Sequence, residues 1–352
     1  MKPSREHAIK QYTMAVLEAH TFRPAWWLRG RHAQTIWGPT VRKALGRITM
    51  PKMRHERWDT PDADFLDLLL LDGSEDAPQV VLFHGMEGTP KSYYIPGYAR
   101  RFQRLGWSFT VMFFRSCGPG MNRTAKLYHL GATKDPEFVL KKFRERHPDR
   151  SLFAIGVSLG GNVLAKWLGE QGEAARQWVD GSAIVSPPFD PAAAAPRFHK
   201  ELYGLYAGYF VKTLIPKALE VARRFPEMFD EDAIKRARDF YSFDTAFTAK
   251  LAGYKNAEDY WAHTGCGQFL EGIRVPTLLI SAKDDPFILP ESMPVELANE
   301  SPHLYPQFPD SGGHVAFVSG TAPGFSRYWY EDQTLRFFET QLRLRRSGIQ
   351  RK

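Results

Sequence analysis

Only two cysteines, Cys117 and Cys266, occur in 352 residues. They lie far apart and form no CxxC pair, which argues against a disulfide framework and against a zinc site of ordinary ligand spacing. No run approaches the ~18 consecutive apolar residues that a bilayer-spanning helix needs. The first twenty residues hold Glu6 and Glu18 and no long apolar stretch, so they do not read as a secretory signal. Reduced thiols in a cytoplasmic protein are therefore expected. There is no internal repeat, and no low-complexity tract beyond the short run Ala192–Ala195. Hydrophobic residues nevertheless make up 43% of the chain, enough for a sizeable core, which excludes wholesale disorder.

Acidic residues are scarce at the N-terminal end. Residues 1–57 hold 12 Lys and Arg against only Glu6, Glu18 and Glu56, a net of +9. The whole chain carries +8, so everything after residue 57 sums to −1. A basic excess invites nucleic acid or an anionic membrane surface. No nucleic-acid motif accompanies it, so a plain solvated face is the expected reading, with weak contact of the N-terminal segment with an anionic membrane surface as the alternative.

What is present is an alternation of strand and helix patterns. Strand-like runs at Ile48–Thr60 and Asp64–Asp72 come first. Buried strands are expected at Gln79–Phe83, Ser108–Phe114, Ser151–Val157, Gly181–Val185, Val275–Ser281 and Leu304–Phe308. Helical periodicity marks Tyr94–Leu105, Pro136–Arg146, Leu159–Gly169 and Arg327–Arg346. This order predicts an α/β fold with a mostly parallel central sheet flanked by helices. The alternation breaks at Ser186-Pro-Pro-Phe-Asp-Pro191. Apolar and aromatic residues then recur at helical spacing within 198–215, and Pro216 is expected to kink or end that helix. The expected organisation is a basic segment, 1–47, packed on a core of 48–189 and 271–352, with a helical lid, 190–270, inserted after the sixth strand.

The sharpest local signal is Gly156-Val-Ser158-Leu-Gly160-Gly161 at a strand–helix junction, the context of a nucleophile elbow. A bare serine hydroxyl is a poor nucleophile and needs a base, itself oriented by an acid. The expected chain order is Ser, Asp or Glu, then His. Asp284-Asp285-Pro286 and Gly312-Gly313-His314 supply it. His314 is the candidate base and Asp285 the candidate acid. Asp284 is the alternative, or else hydrogen-bonds its own loop and caps the next helix. Asp190, at another strand end, is a third candidate. An oxyanion hole needs two fixed N–H donors; Leu159, after the serine, and Met86, in the loop His84–Gly88, are the candidates.

Other signals carry less. Gly85–Ser92 resembles a phosphate-binding GxxxxGK[ST] loop, but Pro90 stands where a glycine N–H is required, so no nucleotide site is expected. His84 and His129 read as structural, no HExxH or clustered metal-ligand spacing occurs, and Cys117 has no identifiable base. Neither a metal nor a cofactor is expected.

Several blocks together carry a family resemblance: Phe22-Arg-Pro-Ala-Trp-Trp with Arg31-His-Ala-Gln-Thr, the loop His84–Gly88, Phe114-Arg115 through Tyr128-His129, Gly156–Asn162, Asp284–Phe287 and Gly312–His314. They span nearly the whole chain, which resembles the α/β-hydrolases and, more narrowly, the YheT-like and embryogenesis-associated esterase subgroup. The resemblance implies Ser158, Asp285 and His314 as a triad, with hydrolysis of carboxylic or lipid-like small-molecule esters. Thioesters, lactones and amides are alternative bonds for the same triad, and non-catalytic lipid or anion binding is the alternative of another class. Eukaryotic relatives carry an N-terminal membrane anchor, which this sequence is expected to lack. Dehalogenases and epoxide hydrolases of the superfamily use an aspartate where Ser158 stands.

Overall fold

The computed structural model describes residues 5–42 and 49–349. The boundary expected at residue 47, the first residue of the Ile48–Thr60 run, and the cations Lys2, Lys43, Arg47, Arg351 and Lys352 lie outside the described residues.

The N-terminal helices α1 (Arg5–Glu18) and α2 (Arg31–Trp37) precede the sheet. Among the described residues, eight strands form the central sheet: β1 (Arg54–Asp59), β2 (Phe65–Leu71), β3 (Gln79–Phe83), β4 (Ser108–Phe113), β5 (Leu152–Val157), β6 (Gly181–Val185), β7 (Thr277–Ile280) and β8 (Leu304–Gln307). Their spatial order is β1-β2-β4-β3-β5-β6-β7-β8. The first two ladders, β1–β2 and β2–β4, are antiparallel, and the remaining five are parallel. Every residue of β3, β4, β5, β6 and β7 is buried, because helices cover both faces, as a parallel sheet requires. β1 is the edge strand, mostly exposed. It starts only at Arg54, later than the apolar pattern suggests; Pro51 has no N–H to give a ladder.

Helices α3 (Ile95–Arg104), α4 (Lys134–Arg146) and α5 (Leu159–Gln171) connect the parallel strands. Late in the chain, α12 (Val295–Glu300) and α13 (Trp329–Arg346) complete the layers. Stacked aromatics weld helices to the sheet: Phe153 of β5 lies 4.6 Å from Phe338 of α13, centroid to centroid.

Between β6 and β7 the chain is helical throughout its ordered elements: α6 (Pro191–Lys200), α7 (Leu205–Arg224), α8 (Glu231–Arg236), α9 (Phe240–Phe243), α10 (Ala249–Ala252) and α11 (Ala257–Thr264). The helix expected across 198–215 is in fact two. A 3₁₀ turn, Glu201–Gly204, separates α6 from α7, with Leu202 and Gly204 at positive φ. Pro216 does not end α7. It sits on the exposed side, as does Lys212, so water can satisfy the carbonyl that the missing N–H leaves behind. This helical layer has a small core of its own, including Val211, Ala218, Val221, Phe229, Phe243 and Phe247, separate from the large core around the sheet.

The N-terminal cations are largely used internally. Lys10 Nζ donates to the carbonyls of Ala298, Asn299 and Ser301 at 2.8, 2.7 and 2.5 Å, capping the C-terminal end of α12. Arg42 meets buried Glu331 at 2.6 Å, Arg57 pairs with Asp67, and Arg31 reaches Glu201 in the helical layer. Arg23 and Arg29 are exposed. Among the described residues no helix is long and apolar enough to cross a membrane.

Candidate active site

In an open parallel sheet, residues just beyond the carboxyl ends of neighbouring strands converge. Here the ends of β3, β5, β7 and β8 deliver the loop 84–88, Ser158, the loop 282–288 and the loop 309–317. Ser158 directly follows β5 and precedes α5, with φ 53° and ψ −118°. Such backbone is costly for a side-chain-bearing residue and persists only where its surroundings enforce it. The enforcement is steric. A Cβ on Gly160 would stand 2.3 Å from the Phe83 carbonyl oxygen, and one on Gly156 would stand 2.5 Å from that of Gly160. Strand β3, strand β5 and helix α5 therefore close together only because these positions are glycine. The Ser158 N–H donates to Val185 O at 2.8 Å, fixing the turn to β6.

His314 lies 156 residues away in sequence, and its Nε2 is 2.9 Å from Ser158 Oγ. Its Nδ1 is 2.8 Å from Asp285 Oδ2. An ionised carboxylate only accepts, so Nδ1 carries the proton and Nε2 presents its lone pair to the serine hydroxyl. Asp285 is 1% exposed, and its second oxygen accepts the Phe287 N–H at 2.8 Å. The imidazole is held from three other directions. Its own backbone N–H donates to Thr35 Oγ1 of α2 at 2.9 Å. The Val315 N–H donates to Ser186 Oγ at 3.2 Å. The Phe287 ring lies 4.5 Å from the His314 ring, centroid to centroid.

The two other candidate acids have different partners. Asp284 Oδ1 accepts the Gly313 N–H at 2.9 Å, so it shapes the histidine loop rather than its own. Burial pushes its carboxyl above the usual range, with Asp285 adding to the effect. Asp190 is the N-cap of α6 and accepts from Ala193 N–H at 2.9 Å.

Met86 and Leu159 both line the cavity in front of Ser158. Leu159 is the first residue of α5, where backbone N–H groups have no intrahelical acceptor. The N–H groups flanking Met86 are committed: Gly85 donates to Tyr94 Oη and Glu87 to Tyr128 Oη, each at 2.9 Å. His84 is structural. Its Nε2 accepts the Phe114 N–H at 3.1 Å and its Nδ1 therefore donates to Gly85 O at 2.6 Å. Complete burial pushes its pKa down to about 4, which keeps it in the neutral form this pattern needs. His129 accepts from the Gly131 N–H and burial likewise pushes it down to about 4. Burial pushes the Cys117 thiol up to about 12, a poor nucleophile. Arg115 is likewise structural, forked onto Asp135 at 2.8 and 2.7 Å beside Asp64.

The cavity measures about 700 Å³. Core loops form one wall and the helical layer the other, with Phe198, Tyr206, Phe210 and Phe240 from the latter. Its surface is mostly apolar. Among the polar groups on it are two on the helical side. Lys217 of α7 donates to Glu87 Oε1 at 2.8 Å; burial opposes its charge, but the Cys117 sulfur and the Glu87 carboxylate outweigh that and hold the ammonium above its usual range. Asp244 accepts from Trp261 Nε1 at 2.8 Å, and complete burial pushes its carboxyl up to about 6.

The family model for the alpha/beta hydrolase fold matches residues 78–321, a span running from the start of β3 past His314. The chain belongs to the α/β-hydrolase family. Among curated proteins, this α/β-hydrolase is 34% identical over 277 residues to YheT of Escherichia coli, an esterase by its provisional name, covering 76% of this chain and 79% of that protein. It is 26% identical over 317 residues to phospholipase ABHD3 of Bos taurus, covering 88% and 76%. It is also 26% identical over 275 residues to the monoacylglycerol lipase of Saccharomyces cerevisiae, covering 76% and 60%. A solved esterase of Pyrococcus furiosus shares the fold at 15% identity with a TM-score of 0.50, covering 85% of this chain and 89% of that one.

Contributors to the site that were not legible in the sequence include Thr35, Tyr94, Tyr128, Ser186 and Lys217. Thr35 and Tyr128 fall inside blocks that carry the family resemblance, which was the available signal. Tyr94 opens a helical pattern and Lys217 lies just past Pro216 in the expected lid, and nothing local distinguishes either.

Proposed function

We propose that this α/β-hydrolase is a serine esterase that cleaves carboxylic esters with hydrophobic acyl groups. The observation that carries the reading is the continuous relay from Asp285 through His314 to Ser158, 2.8 and 2.9 Å per step. His314 Nε2 takes the Ser158 proton as Oγ attacks the ester carbonyl carbon. The carbonyl oxygen becomes an oxyanion facing the N–H groups of Met86 and Leu159. Asp285 holds the required tautomer and stabilises the imidazolium. Collapse expels the alcohol, protonated by His314, and leaves Ser158 acylated. A water deprotonated by His314 then attacks the acyl carbon, and the carboxylic acid departs as Ser158 regains its proton.

The apolar cavity supports an uncharged, hydrophobic substrate, with the helical layer serving as a lid over it. The esterase and lipase names of the relatives agree with that class. The test is labelling with a fluorophosphonate, which reacts only with an activated serine. Wild-type protein takes one label and hydrolyses medium-length nitrophenyl esters; Ser158→Ala does neither. Full activity in Ser158→Ala would sink the proposal. A panel of ester, thioester and amide with one acyl group then ranks the bond cleaved.

A further inference from the structure

The helical layer covers the candidate site, and one of its side chains also enters the loop that carries a candidate oxyanion donor. Glu87 follows Met86 and holds φ 55°, a left-handed conformation that a non-glycine residue keeps only under restraint. The restraint is a closed set of hydrogen bonds. The Glu87 N–H donates to Tyr128 Oη at 2.9 Å, and that hydroxyl donates back to Glu87 Oε1 at 2.7 Å. Lys217 Nζ donates to the same Oε1 at 2.8 Å and lies 3.6 Å from Cys117 Sγ. Tyr128 belongs to the core, but Lys217 lies in the middle of α7. Its side chain is 23% exposed and that of Glu87 is 15% exposed. An ion pair so sheltered is screened far less than a surface pair.

We propose that Lys217 is a positioning residue for the oxyanion hole: by clamping Glu87 it fixes the Met86 N–H, so the hole is complete only while α7 is seated. The proposal rests on the esterase reading above. It makes the helical layer part of the rate-determining geometry rather than only a cover. A positioning residue acts through the transition state, because the oxyanion forms only there. Its loss therefore lowers kcat and spares KM.

The experiment compares Lys217→Met, Lys217→Arg and Arg223→Met on one ester substrate. It adds two inhibitors of equal chain length. The first is a trifluoromethyl ketone: Ser158 Oγ bonds to its carbonyl carbon, His314 takes the serine proton, and the ketone oxygen becomes an oxyanion. The second is a carboxamide, which stays planar. Lys217→Met is expected to lower kcat by roughly 10- to 100-fold, the cost of a misplaced transition-state group, with KM within about twofold. Its inhibition constant for the fluoroketone rises by the same factor as kcat/KM falls, and that for the carboxamide does not move. Lys217→Arg recovers most of the rate. Arg223→Met, an exposed change on the same helix, matches wild type. Glu87→Gln, which keeps size and one acceptor, shows the same split at smaller amplitude, so the proposal stands exposed even where Lys217→Met folds poorly.

Wild-type kcat in Lys217→Met, or equal weakening of both inhibitors, overturns the proposal. An inactive wild type that forms no hemiketal overturns the esterase reading instead, and this inference with it.

Discussion

The strand ends and the helical layer face each other across one cavity, and they are built on opposite plans. On the strand-end side Ser158, His314 and Asp285 are each held through backbone groups. Ser158 is wedged between glycines, the His314 N–H is tied to Thr35, and Asp285 accepts the Phe287 N–H. On the helical side, aromatic packing sets the wall through a small core of its own. The difference teaches that chemistry and cavity shape are largely divided here: one side holds atoms to hydrogen-bond precision, and the other mostly fills volume. Lys217 and Glu87 form one polar bridge between them.

Substitutions can break or sharpen that contrast. The largest effect is expected for Ser158→Ala, a loss of activity on the order of 10⁶-fold as in serine hydrolases generally, with thermal stability close to wild type because alanine keeps the Cβ and the backbone and loses only the Oγ contact to His314. A large fall in stability would show that the elbow is built for folding rather than chemistry. Next is Asp285→Asn, which leaves the shape but gives the imidazole the wrong tautomer, at a cost of about 10⁴-fold in kcat. Asp284→Asn keeps an acceptor for the Gly313 N–H and is expected to stay within about tenfold of wild type. Steady-state kinetics on both variants decides between the neighbours, and reversed ranks would reassign the acid.

Phe247→Ala tests the other wall. Phe247 is 2% exposed, 4.8 Å from the Phe229 ring, and also lines the cavity. Its removal is expected to destabilise the protein by about 3–5 kcal/mol in denaturant unfolding and to shift the preferred acyl length, while fluorophosphonate labelling of the folded fraction continues. Lost labelling at unchanged stability would erase the division between the two sides.

The smallest effect concerns Asp244. The folded protein holds its carboxyl at about 6, against an ordinary 3.8, so the native state binds this proton more tightly than the unfolded chain. As pH rises from about 4 through 6 this group therefore costs stability, to at most roughly 3 kcal/mol, and the cost is fully present at pH 7. Asp244→Asn does not titrate. The variant's stability relative to wild type is expected to improve from pH 4.5 to pH 7.5, read by thermal unfolding at each pH. A difference independent of pH would show that the Asp244 carboxyl titrates alike in the folded and unfolded chain, so that burial imposes no cost on its charge.

Much of the core was legible in sequence because short buried strands and strand–helix junctions have strong local signatures. Gln79–Phe83 and Gly181–Val185 fall where their apolar runs do. The serine was legible from its glycines, and the histidine from its order and turn. The choice between Asp284 and Asp285 had no local basis, since adjacent carboxylates on one turn differ only in what the other end of the molecule offers them. The break between α6 and α7 was missed because it depends on Leu202 and Gly204 at positive φ, whereas the visible breaker, Pro216, lies where water satisfies the helix. Net charge by itself likewise does not say where the individual charges are used. The basic excess of the first 57 residues is real, yet Lys10, Arg31, Arg42 and Arg57 are bound to carbonyls and carboxylates elsewhere in the chain.

The sequence by itself determined the alternation of strands and helices, the elbow around Ser158 and the candidate set for the relay, because each is written in residue types a few positions apart. Only the tertiary structure decided which carboxylate faces His314, that Thr35 supports it, and that Lys217 reaches Glu87. Those are contacts between residues 29, 279 and 130 positions apart, and such pairings form only when distant strand ends and helices pack.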